Sequence, residues 1–174
     1  MLRAAGFTGR ITAADILPRP EDVDAGTSWI ERDLNEPLPL ADRAFDAIIS
    51  TEVIEHLENP RSVFREFGRL LRPGGVLVLT TPNQESLRSL LSLLLRGHYV
   101  DFLDSSYPAH ITALVRRDFV RLCSENSFES PLFFYSDTGS LPGAPTFSWQ
   151  QVSAGLLRGR RFSDTIAMTT RKRS

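Results

Sequence analysis

The chain has 174 residues, 41% hydrophobic and 24% charged, with a formal net charge of −1; that suits one globular core and is too short for two to be expected. Scattered basic side chains in a near-neutral balance give no footprint for nucleic acid. A single cysteine, Cys123, excludes an internal disulfide, three widely spaced histidines show no metal-ligand spacing, and no G-x-S-x-G hydrolase elbow occurs.

Arg10 to Leu17 alternates weakly and is stopped by Pro18 and Pro20, which predicts a short strand ending at Asp15. Trp29 and Ile30 fall in a second strand that delivers Asp33, and Pro37 and Pro39 force an extended connection. Phe45 to Ser50 is a continuous apolar strand of the type covered on both faces. Asn59-Pro60 offers an N-cap and a proline at the first helical position, followed by Val63, Phe64, Phe67, Leu70 and Leu71 at helical spacing. Pro73-Gly74-Gly75 is expected to end that helix, and Val76 to Thr80 to return as a buried strand, a strand-helix-strand length that fits a right-handed parallel crossover.

Next comes a leucine-rich helix bearing Leu87, Leu90, Leu91, Leu93, Leu94 and Leu95, shorter than the roughly 20 residues that span a bilayer. Being apolar around much of its girth, it must be covered on more than one side or lie against a substrate or another subunit, which leaves a homo-oligomer open. A loop over 101–108 leads to an amphipathic helix from Arg117 to Glu125, with Phe119, Val120, Leu122 and Cys123 inward. Leu132 to Tyr135 and Thr165 to Thr170 read as the last strands, separated by a Gly/Pro-rich loop at 139–145 and a helix near Trp149 to Leu157. No charged-then-apolar leader opens the chain, so the cytoplasm is the expected compartment.

Two phrases carry the most information: Glu52-Val-Ile-Glu-His-Leu57 after one apolar strand and Leu71-Arg-Pro-Gly-Gly75 before the next. Together they put polar chemistry at the C-terminal ends of two strands, the edge where open α/β sheets bind ligands. From about Ile11 to the C-terminus the chain resembles the class I S-adenosylmethionine-dependent methyltransferases, in particular their small-molecule branch. The resemblance implies a Rossmann-like, doubly wound, mostly parallel α/β sheet, S-adenosylmethionine as cofactor, and a small-molecule or glycan-precursor acceptor. It also implies that the C-terminal strand ends share one sheet edge, and that residues 84–116 form a substrate lid inserted in a single domain spanning 1–174.

Carried over residue by residue, the resemblance gives Asp15, with Ile16 beside it, the two ribose hydroxyls of the cofactor, because one carboxylate can accept from both. The other reading of Asp15 is an ordinary loop aspartate before Pro18. Asp33 and Leu34 match the position that takes the adenine amino group and a ring nitrogen, although Asp33 could equally cap the turn into Asn35-Glu36-Pro37. Thr51, Glu52 and Val53 stand where the family brings backbone close to the cofactor. His56 follows, and an imidazole exchanges a proton near neutral pH, which suits a general base for a hydroxyl or phenol nucleophile; alternatively it packs under the sheet edge and bonds a carbonyl. His110 resembles a histidine between the lid helix and the next helix that faces the acceptor pocket. His98, at a helix end, is assigned no chemistry. Methyl transfer asks little of side chains beyond alignment.

The family's first strand and its Gly-rich turn should precede Asp15 by about 20 residues. Only fourteen do so, and no G-x-G occurs, so the chain is expected to begin inside the fold. Without that strand, those bearing Asp15 and Phe45 to Ser50 either pair directly or stay apart, and cofactor binding is expected to be weak. The competing readings are a non-catalytic methyltransferase-like interaction protein and, less well matched by these phrases, a nucleotide-binding oxidoreductase.

Overall fold

A computed structural model describes residue 3 and residues 5–174, in two compact units, Met1–Pro39 and Leu40–Ser174. In the first unit, β1 (Ile11–Asp15) runs parallel to β2 (Thr27–Glu31), in register from Ile11 opposite Thr27 to Asp15 opposite Glu31. Arg32 N–H donates to the Asp15 carbonyl at 2.8 Å and carries the ladder one step past both strands. Trp29 Nε1 donates to the Leu17 carbonyl at 3.2 Å, which fixes the exit of β1.

The second unit holds a four-stranded sheet in the order β3 (Phe45–Thr51), β4 (Leu71–Pro82), β8 (Thr165–Arg171) and β5 (Leu132–Tyr135). Strands β3 (Phe45–Thr51) and β4 (Leu71–Pro82) are parallel and joined by helix α1 (Pro60–Leu70). Helices α2 (Leu87–Arg96) and α3 (Arg116–Glu125) lead on to β5 (Leu132–Tyr135). A small hairpin of β6 (Ser140–Leu141) and β7 (Ala144–Ser148) and a single turn, α4 (Trp149–Val152), precede β8 (Thr165–Arg171), which runs antiparallel to both β4 and β5.

The cap of α1 is as expected: Asn59 Oδ1 accepts from Ser62 N–H at 3.2 Å with Pro60 at the first helical position. Its inward stripe buries Phe64, whose ring meets Phe128 edge-on at 6.1 Å and Phe119 at 6.5 Å. Leu71, Leu77 and Leu79 from β4, Met168 from β8 and Ile54 complete the core. Cys123 lies fully inside it, and burial pushes its thiol up to about 11.

Several expectations change. Asp15, Asp33 and Ser50 do not share one sheet: the ladder neighbour of β1 is β2, that of β3 is β4, and β1 and β3 do not pair directly. An edge strand of its sheet, β3 is also not covered on both faces, and Ile49 stays 52% exposed. Pro73-Gly74-Gly75 does not separate helix from strand, because β4 already begins at Leu71. The register jumps there from Phe45 opposite Leu71 to Ala47 opposite Val76, so the prolyl-glycyl segment is a bulge, with Gly74 at φ 77°.

Val120 faces out, since the buried stripe of α3 is Phe119, Leu122 and Cys123 at i, i+3, i+4. The helix expected near Trp149 to Leu157 stops after one turn, where Ala154 and Gly155 both take positive φ. The 139–145 segment read as loop contributes to the β6–β7 hairpin, and the leucine helix is not covered on more than one side.

Candidate functional site

In the second unit, polar groups gather where β3 and β4 end side by side, Thr51 opposite Thr80. The chain leaves β3 through Glu52, whose φ of 51° is the left-handed conformation that a side chain rarely adopts. Glu52 N–H donates to the Thr80 carbonyl at 3.0 Å, so the sheet ladder itself holds this turn. Val53 then leads into a 3-10 turn over Ile54–His56, in which Ile54 and Glu55 are buried and His56 is exposed.

Glu55 is the anchor of the turn. Its carboxylate is buried and accepts from Thr81 Oγ1 of β4 at 3.0 Å. Its backbone carbonyl receives the N–H groups of both Ile111 and Thr112 at 3.0 Å, and Thr112 Oγ1 donates to the Leu57 carbonyl. These bonds clamp the 109–112 segment, which comes much later in sequence, onto the 3-10 turn. His110 comes with it, and its ring centroid lies 4.8 Å from that of His56, at 54°.

Each imidazole is oriented by a backbone carbonyl. His56 Nδ1 lies 2.7 Å from the Ala109 carbonyl, and His110 Nδ1 bonds the Asp101 carbonyl. A carbonyl oxygen only accepts, so in both rings Nδ1 carries the hydrogen, and in the neutral ring Nε2 keeps the lone pair. Phe102 stacks at a tilt 5.6 Å from His110, and Tyr99 meets Phe102 edge-on at 6.3 Å, giving the pair an aromatic wall.

The carboxyls around them are perturbed. Glu52 is held above the ordinary carboxylate range, first by burial of its carboxyl among protein atoms although the residue as a whole is solvent-accessible, and further by the charges of Glu55 and Asp101; a hydrogen bond with Thr80 opposes this. Burial raises Asp101 as well, against the pull of Arg88.

In the first unit, Asp15 and Asp33 stand at the same edge of the β1–β2 pair. Asp15 Oδ1 accepts from Leu17 N–H at 2.9 Å, leaving Oδ2 with no hydrogen-bond partner among the described residues. Ile16 and Leu17 beside it are 64% and 62% exposed. Asp33 does cap its turn, Oδ1 accepting from Asn35 N–H at 2.9 Å and from Asn35 Nδ2 at 3.0 Å, with Leu34 half-buried.

Thr51, Glu52, Val53, His56 and His110 are therefore neighbours through one hydrogen-bonded turn, and Asp15, Ile16, Asp33 and Leu34 belong to the other unit. The anchoring role of Glu55 was missed by sequence reasoning; the signal was an acid placed next to a histidine in an otherwise apolar turn. The positions of Asp101 and Phe102 carried no sequence signal. Among the described residues, no cluster of three metal-ligating side chains occurs and no helix is long and apolar enough to cross a membrane.

A family model described as a methyltransferase domain matches residues 1–130. The chain is 37% identical over 84 residues to a ubiquinone biosynthesis O-methyltransferase of Xanthomonas oryzae pv. oryzae, a match covering 42% of this chain and 34% of that protein. It is 38% identical over 81 residues to the mitochondrial ubiquinone biosynthesis O-methyltransferase of Arabidopsis thaliana, covering 45% of this chain and 25% of that one. The matches thus span about a third or less of the length of these relatives. In fold it is similar to a SAM dependent methyltransferase from Archaeoglobus fulgidus, with a TM-score of 0.65 at 17% identity, over 98% of this chain and 79% of that one. With three-quarters of its length matched, the chain belongs to the methyltransferase domain family, and it has the fold of the SAM-dependent methyltransferases.

Proposed function

We propose that this chain carries out methyl transfer from S-adenosylmethionine to a hydroxyl of a small molecule or glycan precursor, with the His56–His110 pair receiving the hydroxyl proton. The observation that carries the reading is that both imidazoles spend Nδ1–H on carbonyls and keep Nε2 lone pairs, 4.8 Å apart ring to ring, behind an aromatic wall. A hydroxyl becomes a competent nucleophile only as its proton is taken, and a neutral Nε2 can take it. An oxygen acceptor agrees with the O-methyltransferase names of the relatives.

The residues present fit the adenosine half of the cofactor. Asp15 offers an uncommitted carboxylate oxygen for ribose hydroxyls, and exposed Ile16 next to it offers an apolar face for a flat base. Asp33 and Leu34, in the same unit, fit the base edge; within the second unit, the left-handed turn at Glu52 brings the backbone of Thr51, Glu52 and Val53 to the surface. When bound, the cofactor supplies an electrophilic methyl group, and the side chains hold, orient and deprotonate. Residues 84–116 serve as the acceptor lid, since Tyr99, Phe102 and His110 all come from them. A lone buried thiol needs no oxidising compartment, and the cytoplasm is the proposed location.

Calorimetric titration of the full chain with S-adenosylmethionine tests this reading. Saturable binding that Asp15→Ala weakens supports it. No heat up to about millimolar cofactor, an affinity near 4 kcal/mol, sinks it in favour of a non-catalytic interaction protein.

A further inference from the structure

Helix α2 is built inside out. Its buried stripe is Ser89 and Ser92, continuing the capping Ser86 at steps of three. Ser86 Oγ accepts from Ser89 N–H at 3.1 Å, and Ser89 Oγ donates to Gln84 Oε1 at 3.0 Å. The stripe at i, i+3, i+4, i+7, i+8 is Leu87, Leu90, Leu91, Leu94 and Leu95, on the side opposite the serines and open to solvent at its C-terminal end. Leu94 and Leu95 are 79% and 78% exposed and the other three are half-buried. A globular helix of this composition ordinarily buries its leucines, so this face is a surface awaiting an apolar partner.

The charges around α2 specify that partner. The helix contains Arg88 and Arg96 and no acid. Next to it, the 3-10 turn of Arg160–Phe162 adds Arg160 and Arg161, and Arg116 lies close by through Glu85. The carboxylates in this group are already engaged, Glu85 by Arg116 at 2.7 Å and Arg160 at 3.6 Å, and Asp164 by Arg88 at 3.7 Å, while Asp101 also feels the charge of Arg88. Five arginines against three acids still leave a positive surplus beside the leucines.

We propose that α2 docks on an anionic lipid surface, its leucine stripe in the acyl boundary and its arginines at the headgroup phosphates. A leucine face bordered by arginines is the pattern of a helix that lies in the interface plane. At 10 residues, about 15 Å long, α2 reaches only half-way across a bilayer core and lies on it rather than through it. A second copy of the chain fits less well. One face of so short a helix offers on the order of 150–300 Å², whereas a stable interface needs roughly 800 Å² per partner with matching shape. A lipid surface demands no matching shape. The inference stands apart from methyl transfer and would hold for a chain with no catalytic activity.

The test is co-sedimentation of the full chain with vesicles of phosphatidylcholine alone and of phosphatidylcholine with about one-third phosphatidylglycerol. The expected result is binding to the anionic vesicles, much less to the neutral ones, and release in about 0.5 M salt, where surface charges are screened. The double substitution Leu94→Glu/Leu95→Glu should lower the partition coefficient at least about tenfold, while Arg96→Glu should reduce binding to anionic vesicles only. Both leucines are exposed, so circular dichroism melting should be unchanged; if the double variant melts early, Arg96→Glu and the salt series carry the test. Absence of sedimentation with either vesicle overturns the proposal, as does binding indifferent to these substitutions. A concentration-dependent dimer in sedimentation velocity, dissolved by Leu94→Glu/Leu95→Glu and without vesicle binding, overturns it by assigning the face to a second copy.

Discussion

The imidazoles of His56 and His110, fifty-four positions apart in sequence, face each other at 4.8 Å because the carbonyl of Glu55 holds the N–H groups of Ile111 and Thr112. With both Nδ1 atoms donating to carbonyls, long-range proton-nitrogen correlation spectra above neutral pH should show the Nδ1–H tautomer in each ring. An Nε2–H tautomer in either ring would contradict the proposed base. On this arrangement His56→Ala and His110→Ala each lower kcat by about 10²–10⁴. The double variant should fall little further than the worse single one, since the rings act as a unit.

Cofactor affinity should separate from turnover. Asp15 lies in the first unit and among the described residues accepts only Leu17 N–H, so Asp15→Ala removes an acceptor for ribose without unfolding a core. A lost charge-assisted hydrogen bond costs about 1.5–3 kcal/mol, or roughly one to two decades of affinity. His56→Ala should leave affinity nearly unchanged and act on kcat. Equal losses of binding in the two variants, measured by titration, would remove the division of roles.

Much of the fold was legible because local chemistry and tertiary demand agreed. Asn59-Pro60 caps α1 as its sequence says, and the apolar Val76 to Thr80 run lies in the centre of β4. What failed were two inferences from an apolar run to its cover. Phe45 to Ser50 reads as doubly covered, yet cover depends on what packs on the two faces of the sheet, and β3 keeps an exposed side at Ile49. The leucines of α2 read as covered on more than one side or set against a substrate or another subunit; in the structure serines hold the inward positions, where small side chains let the helix approach its support closely. At the site, the individual histidines were visible but their meeting was not. That meeting depends on the 109–112 segment returning to Glu55, a non-local closure that no periodicity encodes.

The stability of the folded chain should show the raised carboxyl of Glu52. Burial is the main cause, opposed by the hydrogen bond with Thr80 and assisted by the charges of Glu55 and Asp101. The folded state therefore binds this proton more tightly than the unfolded chain. Its contribution is fully present below the ordinary carboxylate range and is lost as pH rises through the raised value. Glu52→Gln removes the penalty on the charged form and should raise Tm at neutral pH, with the gain shrinking as pH falls through the ordinary carboxylate range. A gain that grew on acidification, in melts followed across that range, would reverse the assigned sign.

Thr81 should be the least tolerant polar position of the site. Its hydroxyl donates at 3.0 Å to the carboxylate of Glu55, and both residues are buried. Thr81→Val keeps the shape and the β-branched fit to the strand but leaves a buried carboxylate oxygen without that donor. The cost expected from urea unfolding is about 1–3 kcal/mol, whereas Thr81→Ser, which keeps the hydroxyl, should lose under about 1 kcal/mol. Because the same Glu55 positions Ile111 and Thr112 through its carbonyl, the disturbance should reach the His56–His110 pair. The ring signals of both histidines should then shift or broaden in Thr81→Val and stay in place in Thr81→Ser. Equal stability of the two variants, with unmoved histidine signals, would show that Glu55 is anchored by packing rather than by the Thr81 bond.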